Sequence, residues 1–477
     1  MDDVAFGSPR GQLVLAATVV ASGVAFLDTT VVNVALPRIG ADLGGGFATL
    51  QWVLDAYLLA LGALVLVGGA LGDLLGRRRV FEVGLVGFGV ASVLCGLAPR
   101  AELLVAARGL QGVAAALLVP GSLAILAATF TGADRGRAIG AWSGLSGVFT
   151  ALGPFVGGAL VDASPSGWRW VFLLNVPLVV AAMVLSRAGI PDAPGSRAGA
   201  RLDLLGAGLV TVGLGLVVYP LIEWGRLDRA TAVALLVLAA VVLGAFLAVE
   251  ARTAAPMLPL ALFRLRSFTV ANLVTLVVYA ALGGAFFLLV VVLQEALGYS
   301  ALASGAAGLP ITVALLLLSS RVGGLVDRVG ARLLLTAGGV GTAAGLLLLV
   351  RVGSGGGYWR DVFPGVTVFA LGLSLVVAPV TTTVLADVGV RRQGVASGTN
   401  NAVARVAALL AVAILPLTSG ISAAADAQEL LTGFDRAMVS CAALCAAGAM
   451  VAAVGLRGPD VARSSSAVGS PRAGHDT

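Results

Sequence analysis

The 477-residue chain contains no lysine and a single histidine, His475, close to its C-terminal end. Cysteine occurs three times, as Cys95, Cys441 and Cys445, and charged residues make up only 11% of the chain. Each scarcity excludes something. Soluble globular domains carry about 25% charged residues, so a water-soluble fold of this composition would leave large apolar patches against water. A soluble enzyme, a disordered protein and a nucleic-acid binder are thereby ruled out. The three cysteines lie in apolar stretches without CxxC spacing, which argues against a disulfide framework or a zinc site. A lone histidine in a polar tail removes that residue from any metal or proton-relay scheme. No cofactor and no metal is expected.

What is present is apolar. Hydrophobic residues make up 59% of the chain, enough for roughly 14 membrane helices at about 20 residues each. Runs such as LVLAATVVASGVAF and AALGGAFFLLVVVL are apolar on every side, whereas strands of a membrane barrel alternate polar and apolar residues. The chain therefore reads as an all-α polytopic membrane protein with 14 transmembrane helices. They are expected at about 12–36, 48–71, 80–98, 102–126, 138–161, 170–187, 203–222, 230–250, 268–293, 302–319, 333–351, 362–386, 394–417 and 436–456, from the length of each apolar run. The opening MDDVAFGSPR sets Asp2 and Asp3 against Arg10 and closes on no A-x-A site, unlike a secretory leader.

The net charge is +6, and every one of the 30 cationic side chains is arginine. With both termini on one side, that side carries 20 of them, including Arg77, Arg78 and Arg79, and the other carries 8; Arg108 and Arg405 fall inside helices. Cytoplasmic loops hold the positive excess, so both termini are expected in the cytoplasm and the protein in the bacterial cell membrane. Expected partners are a small-molecule substrate, protons and the lipid bilayer, with the protein a monomer that binds no nucleic acid.

The chain also repeats. GALGDLLGRRR, Gly69 to Arg79, and GGLVDRVGAR, Gly323 to Arg332, share Gly, then Asp four residues on, then Gly three further on, then Arg. Each follows the second helix of a six-helix block if two helices are an insertion. The architecture is two six-helix pseudo-symmetric bundles plus a two-helix insert, divided as 1–188, 189–255 and 256–456, with a Ser-, Gly-, Pro- and Ala-rich tail, 457–477, that is disordered. Parallel halves of this kind clasp a substrate near the membrane midplane. Within the repeat, Gly69 and Gly76 let helix ends approach closely, Asp73 accepts hydrogen bonds from a neighbouring helix N-terminus or pairs with an arginine, and Arg77 and Arg78 anchor the loop at an anionic leaflet. With Asp327 and Arg328 in the second copy, this reads as a gate latch between halves; an ordinary basic loop is the blander option.

GALGDLLGRRR resembles the cytoplasmic signature of the major facilitator superfamily. LDTTVVNVALP, Leu27 to Pro37, resembles the first-helix motif of the 14-helix drug:proton antiporter branch. LLVAARGLQGVAAALLVPGS, Leu103 to Ser122, resembles its fourth-helix motif, and LGPFVGG, Leu152 to Gly158, with WRWVFLLNVP after it, the fifth-helix antiporter motif. The likeness implies two bundles that alternate access and export hydrophobic or amphipathic molecules, drugs or antibiotics, against protons. An exporter dedicated to one endogenous metabolite is the alternative, and proton-driven uptake a weaker one. The fifth-helix motif usually carries glycine where this chain has Phe149, a bulky residue that would tighten packing or narrow the path.

The charged residues inside helices are the functional candidates, because burying charge in a membrane is costly. Asp28 lies about 12 Å below the outer end of its helix, Arg108 about 9 Å and Asp55 about 10 Å, at 1.5 Å per residue, so the three are expected to form one network. A carboxyl that alternates between pairing with Arg and facing a cavity changes its proton affinity, as a proton carrier must; the alternatives are a static packing pair, an Arg108 that snorkels outward and an Asp55 that caps the helix near Gln51. Gly153, Pro154, Gly157 and Gly158 give a close-packing surface with a tolerated kink; the resemblance adds a hinge role. Around the substrate the candidates are Asn33, whose first reading is a hydrogen bond across helices, Tyr57, Gln111, Trp142, Asn401 and Arg405, with Phe286 and Phe287 as further apolar lining, although core or lipid-facing packing is the commoner role for any one aromatic. Arg405 binds either an anionic group or helix-end carbonyls. Trp52, Trp168, Trp170 and Trp359 are expected in the interfacial belts. No charged pore ring, GxSxG elbow or P-loop appears, which argues against a channel, an enzyme and an ATP-driven pump.

Overall fold

The computed structural model describes residues 4–192, 202–253, 256–353, 355, 357–389, 392–421 and 426–456. The tail 457–477, read above as disordered, lies outside the described residues. Among the described residues, fourteen helices are long and apolar enough to cross a membrane, and no strand is present. They are α1 (Pro9–Leu43), α2 (Gly46–Leu75), α3 (Arg77–Gly96), α4 (Ala101–Thr129), α5 (Gly132–Ala163), α6 (Gly167–Gly189), α7 (Leu204–Ile222), α8 (Arg229–Arg252), α9 (Arg266–Ala296), α10 (Ala301–Val329), α11 (Ala331–Leu349), α12 (Tyr358–Ala386), α13 (Gln393–Ser419) and α14 (Ala427–Gly455). The protein is a multi-pass membrane protein.

Several helices outrun their apolar cores. α1 continues seven residues past the expected end at 36 because Pro37 is accommodated inside the helix. A proline removes one backbone bond, which neighbouring helices can tolerate in a membrane. Asp28 therefore lies about 22 Å from the end of α1 rather than about 12 Å. α10 likewise runs to Val329, so Asp327 and Arg328 sit in its last turn rather than in a loop. The α1–α2 turn is Gly44–Gly45–Gly46, with φ of 74°, 91° and 66°, a left-handed course open to glycine and strained for other residues.

The repeat is visible in packing. In the first six helices α1 packs on α4, α5 and α6, α2 on α4, and α3 on α4 and α6. In the last six, α9 packs on α12, α13 and α14, α10 on α12, and α11 on α12 and α14. Each pair has its counterpart eight helices later. The glycines of the repeated motif are equivalent as well. Gly76 (φ 100°) and Gly330 (φ 81°) make the turns, and a Cβ on Gly69 or Gly323 would meet Pro120 or Ala378, each at 3.8 Å.

The insert sits beside the seam between the halves. α7 packs on α8 and also on α2 and α13, one helix from each half. Asp203 caps α7 through Gly206 N at 2.7 Å, and the buried Glu250 of α8 accepts the amide of Leu258 at 3.1 Å, tying down the chain that leads into α9.

Candidate functional site

Four helices of the first half converge on Asp28. α4 carries Arg108 and Gln111 three residues apart and so on one face. Arg108 Nη1 donates to Asp28 Oδ2 at 2.5 Å and to Gln111 Oε1 at 2.7 Å, while its Nε donates to the Val53 carbonyl at 2.9 Å. Gln111 Nε2 donates to Asp28 Oδ1 and to Ser92 Oγ, both at 2.9 Å. Asn175, from α6, donates to Asp28 Oδ1 at 2.9 Å. Asp28, Arg108, Gln111, Ser92 and Asn175 are all fully buried. The guanidinium carbon lies 4.3 Å from the centre of the Tyr57 ring, a cation–π contact that covers part of its charge. Breaking such a buried pair by removing one partner costs about 3–5 kcal/mol.

The structure thus joins Asp28 to Arg108 and draws Gln111 and Tyr57 around them. It leaves Asp55 apart. That carboxyl is fully buried on α2, and neither oxygen has a hydrogen-bond partner among the described residues. It lies four residues from Gln51, which donates to the Val412 carbonyl of α13 at 2.7 Å, and seven from Gly62, whose added Cβ would meet Arg405 at 3.2 Å. These spacings put Asp55 on the α2 face that meets the second half. It does not cap the helix, lying in the third turn of α2.

Trp142 donates to Ser22 Oγ at 3.1 Å and is buried. Asn33 and Arg405 stay partly exposed, and Asn401 is exposed. Phe287 is fully buried in a seam contact with Phe47, ring centres 5.5 Å apart. Trp168, expected at an interface, is instead fully buried and donates to Asp42 at 2.8 Å; a buried indole N–H takes a partner where one is available. In the first-half loop Arg77 pairs with Asp73 at 3.0 Å and donates to the Ala124 carbonyl at 3.1 Å, while Arg78 pairs with Glu82 at 2.9 Å. Asp327 and Arg328 are exposed.

Sequence reasoning passed over Asn175 and Ser92, and with them Asn400, which donates to Thr275 at 2.7 Å and Asn272 at 3.2 Å between α13 and α9. An amide within an apolar run was the available signal in each Asn. Phe149 finds its space in α1. A Cβ on Gly23 would lie 2.6–2.9 Å from three Phe149 ring atoms, so the missing glycine of α5 is answered by a glycine on its partner. Gly23→Ala is expected to cost about 1–3 kcal/mol through overpacking. Thermal unfolding in detergent checks this, and Phe149→Ala in the same chain should recover most of the loss.

The halves touch along α2–α13 and α5–α10, and the second seam is asymmetric. Near the α1–α2 turn it is shut. Asp162 accepts the amides of Ala301 and Leu302 at 3.0 and 2.9 Å, Gln294 donates to the Val34 carbonyl at 3.0 Å, and Gly158 and Gly305 each face the other helix's backbone with no room for a Cβ. Toward the Arg77–Arg79 end, Gly136, Gly140, Gly144 and Gly147 continue the face of α5 that carries Pro154 and Gly158, yet a Cβ on any of them would meet nothing within 4 Å. This face of α5 is packed at one end and bare at the other, so the α5–α10 seam opens toward the arginine-rich end.

Two repeated six-helix bundles with such a seam match the Major Facilitator Superfamily model over residues 18–412. The chain belongs to that superfamily. This major facilitator protein is 36% identical over 430 residues to a probable actinorhodin transporter of Streptomyces coelicolor, covering 87% of this chain and 74% of the relative. It is 37% identical over 429 residues to a puromycin resistance protein of Streptomyces alboniger, covering 87% and 83%. Among solved structures, an inward-facing bacterial homologue of the lysosomal transporter Spinster superposes with a TM-score of 0.66 at 17% identity, covering 94% of this chain and 98% of that one. The protein is a transporter, not an enzyme, and its fourteen spans and its relatives place it in the 14-helix branch of the superfamily.

Proposed function

We propose that the protein exports hydrophobic or amphipathic small molecules, drugs or antibiotics among them, in exchange for protons by alternating access. The observation that carries this reading is the Asp28–Arg108 pair, fully buried with the hydrogen-bonding side chains of Gln111, Asn175 and Ser92 in a membrane-spanning bundle. A buried intramembrane carboxylate is expensive and marks proton or substrate pathways. Protonating Asp28 removes the charge that neutralises Arg108, so proton occupancy and bundle conformation are coupled. Asp55, buried without a donor in this conformation, is a second proton site in the same scheme; an ionised carboxylate there would have lost water and gained no partner.

Further parts of the proposal rest on the arginine asymmetry and the seam. The arginine-rich end, with both termini, faces the cytoplasm, so the conformation described is inward-facing. The bundles are 1–188 and 256–456 with the insert at 189–255. Gly69, Asp73, Gly76, Arg77 and Arg78, with Asp327 and Arg328, latch the cytoplasmic end when it closes. Gly153, Pro154, Gly157 and Gly158 let α5 pivot between α1 and α10, and the partly exposed Asn33 and Arg405 and the exposed Asn401 meet substrate. The working unit is a monomer in the cell membrane. A narrower reading, export of one antibiotic made by the same cell, is favoured by relatives named for single compounds.

The test is proton flux. In liposomes with an internal pH dye and an imposed pH gradient, lipophilic dyes and antibiotics should each trigger proton movement in the wild type. Substrate movement without a proton signal would exclude antiport and leave transport standing.

A further inference from the structure

Arg108 and Arg405 both lie within membrane-spanning helices, and they are treated oppositely. Arg108 is fully buried and donates to Asp28, Gln111 and the Val53 carbonyl. Arg405 sits near the middle of α13, partly exposed. No carboxylate among the described residues lies within ion-pair distance of its guanidinium, and no hydrogen bond from it is recorded among them. The side chain reaches across the seam. Its Cβ is 3.2 Å from where a Cβ on Gly62 of α2 would stand. Its guanidinium carbon is 5.9 Å from the centre of the Phe26 ring on α1.

A cation at the middle of a membrane helix is costly, and it pairs or faces a water-filled path. The internal anions are unavailable. Asp28 is already matched by Arg108. Asp55, although on the same face of α2 as Gly62, is about 10 Å further along that helix and forms no ion pair among the described residues. Resting on the export reading above, we infer that Arg405 receives the negative group of the transported molecule, so the substrates are amphipathic organic anions. The guanidinium fork matches a carboxylate, sulfonate or phosphate oxygen pair. Phe26, from the first half, flanks it with aromatic surface for the apolar body of the molecule. Because Phe26 and Gly62 belong to the first half and Arg405 to the second, an anion bound there bridges the two bodies that move.

The experiment uses the full chain in lipid nanodiscs and two fluorescent probes that differ only in charge, 1-anilinonaphthalene-8-sulfonate and N-phenyl-1-naphthylamine. Empty nanodiscs supply the background. The wild type should bind the sulfonate more tightly than the neutral amine. Arg405→Gln should weaken the sulfonate at least tenfold and leave the amine within twofold, which also shows that the variant is folded; Arg405→Lys should fall between. Equal binding of both probes by the wild type would overturn the inference, as would equal weakening of both in Arg405→Gln. Displacement of the sulfonate by chloride at equal concentration would assign a halide site and overturn it as well. Dye movement in wild-type liposomes tests the export reading separately, because the binding difference does not depend on transport.

Discussion

Asp28→Asn is expected to abolish substrate-driven proton movement and to lower proton-coupled transport at least a hundredfold. The substitution keeps the shape of the side chain and removes the charge. Arg108 then remains fully buried with no counter-charge, a situation that costs about 3–5 kcal/mol when one partner of a buried pair is deleted. The Nδ2 of the new amide also adds donors where Gln111, Asn175 and Arg108 already donate. Internal pH in liposomes is the measurement. Downhill exchange of substrate, which needs no proton, should survive in part if the variant folds. Undiminished proton movement in Asp28→Asn would return the pair to a purely structural role.

Gly158→Val is expected to hold the arginine-poor end open and to reduce transport at least tenfold. A Cβ at position 158 would stand 2.7 Å from the backbone nitrogen of Leu302 and 3.0 Å from the carbonyl carbon of Ala301. Backbone atoms cannot rotate away as a side chain can, so α5 and α10 must separate. The two amide bonds from Ala301 and Leu302 to Asp162 are lost with that contact. Asn33→Cys, placed one residue before the Val34 carbonyl that closes this end, provides the readout with a membrane-impermeant maleimide. The three native cysteines are all buried and add little background. Labelling from the arginine-poor side should accelerate at least tenfold in the Gly158→Val chain; an unchanged rate would mean that this contact does not limit closure.

Much of the fold was legible because a bilayer leaves few options. With no water to satisfy backbone groups, an apolar run of about 20 residues becomes a helix, and fourteen such runs gave fourteen spans. The boundaries were harder. Pro37 reads as a stop and is instead carried within α1, and the polar residues of the last turns of α10 read as loop. Asp28 and Arg108 stood out as charges in apolar helices, and the structure brings them together. Asp55 stood out for the same reason, yet it faces the other half of the protein. Rise per residue gives the depth of a side chain, but the rotation of one helix against another decides what it meets. Asn175 was hidden because a single amide in an apolar run has no partner visible in the chain, and Ser92 lies more than eighty residues from it.

Composition, run length and the Gly–Asp–Gly–Arg repeat by themselves determined that this is a fourteen-helix membrane protein built from two related halves, because hydropathy and local turn chemistry are properties of short segments. Only the tertiary structure decided that Arg108 is neutralised while Arg405 is not, that Phe149 rests on Gly23, and that the seam is shut at Gly158 and bare at Gly144. Those outcomes depend on which helix faces meet across hundreds of residues of chain, and no local pattern encodes such a meeting.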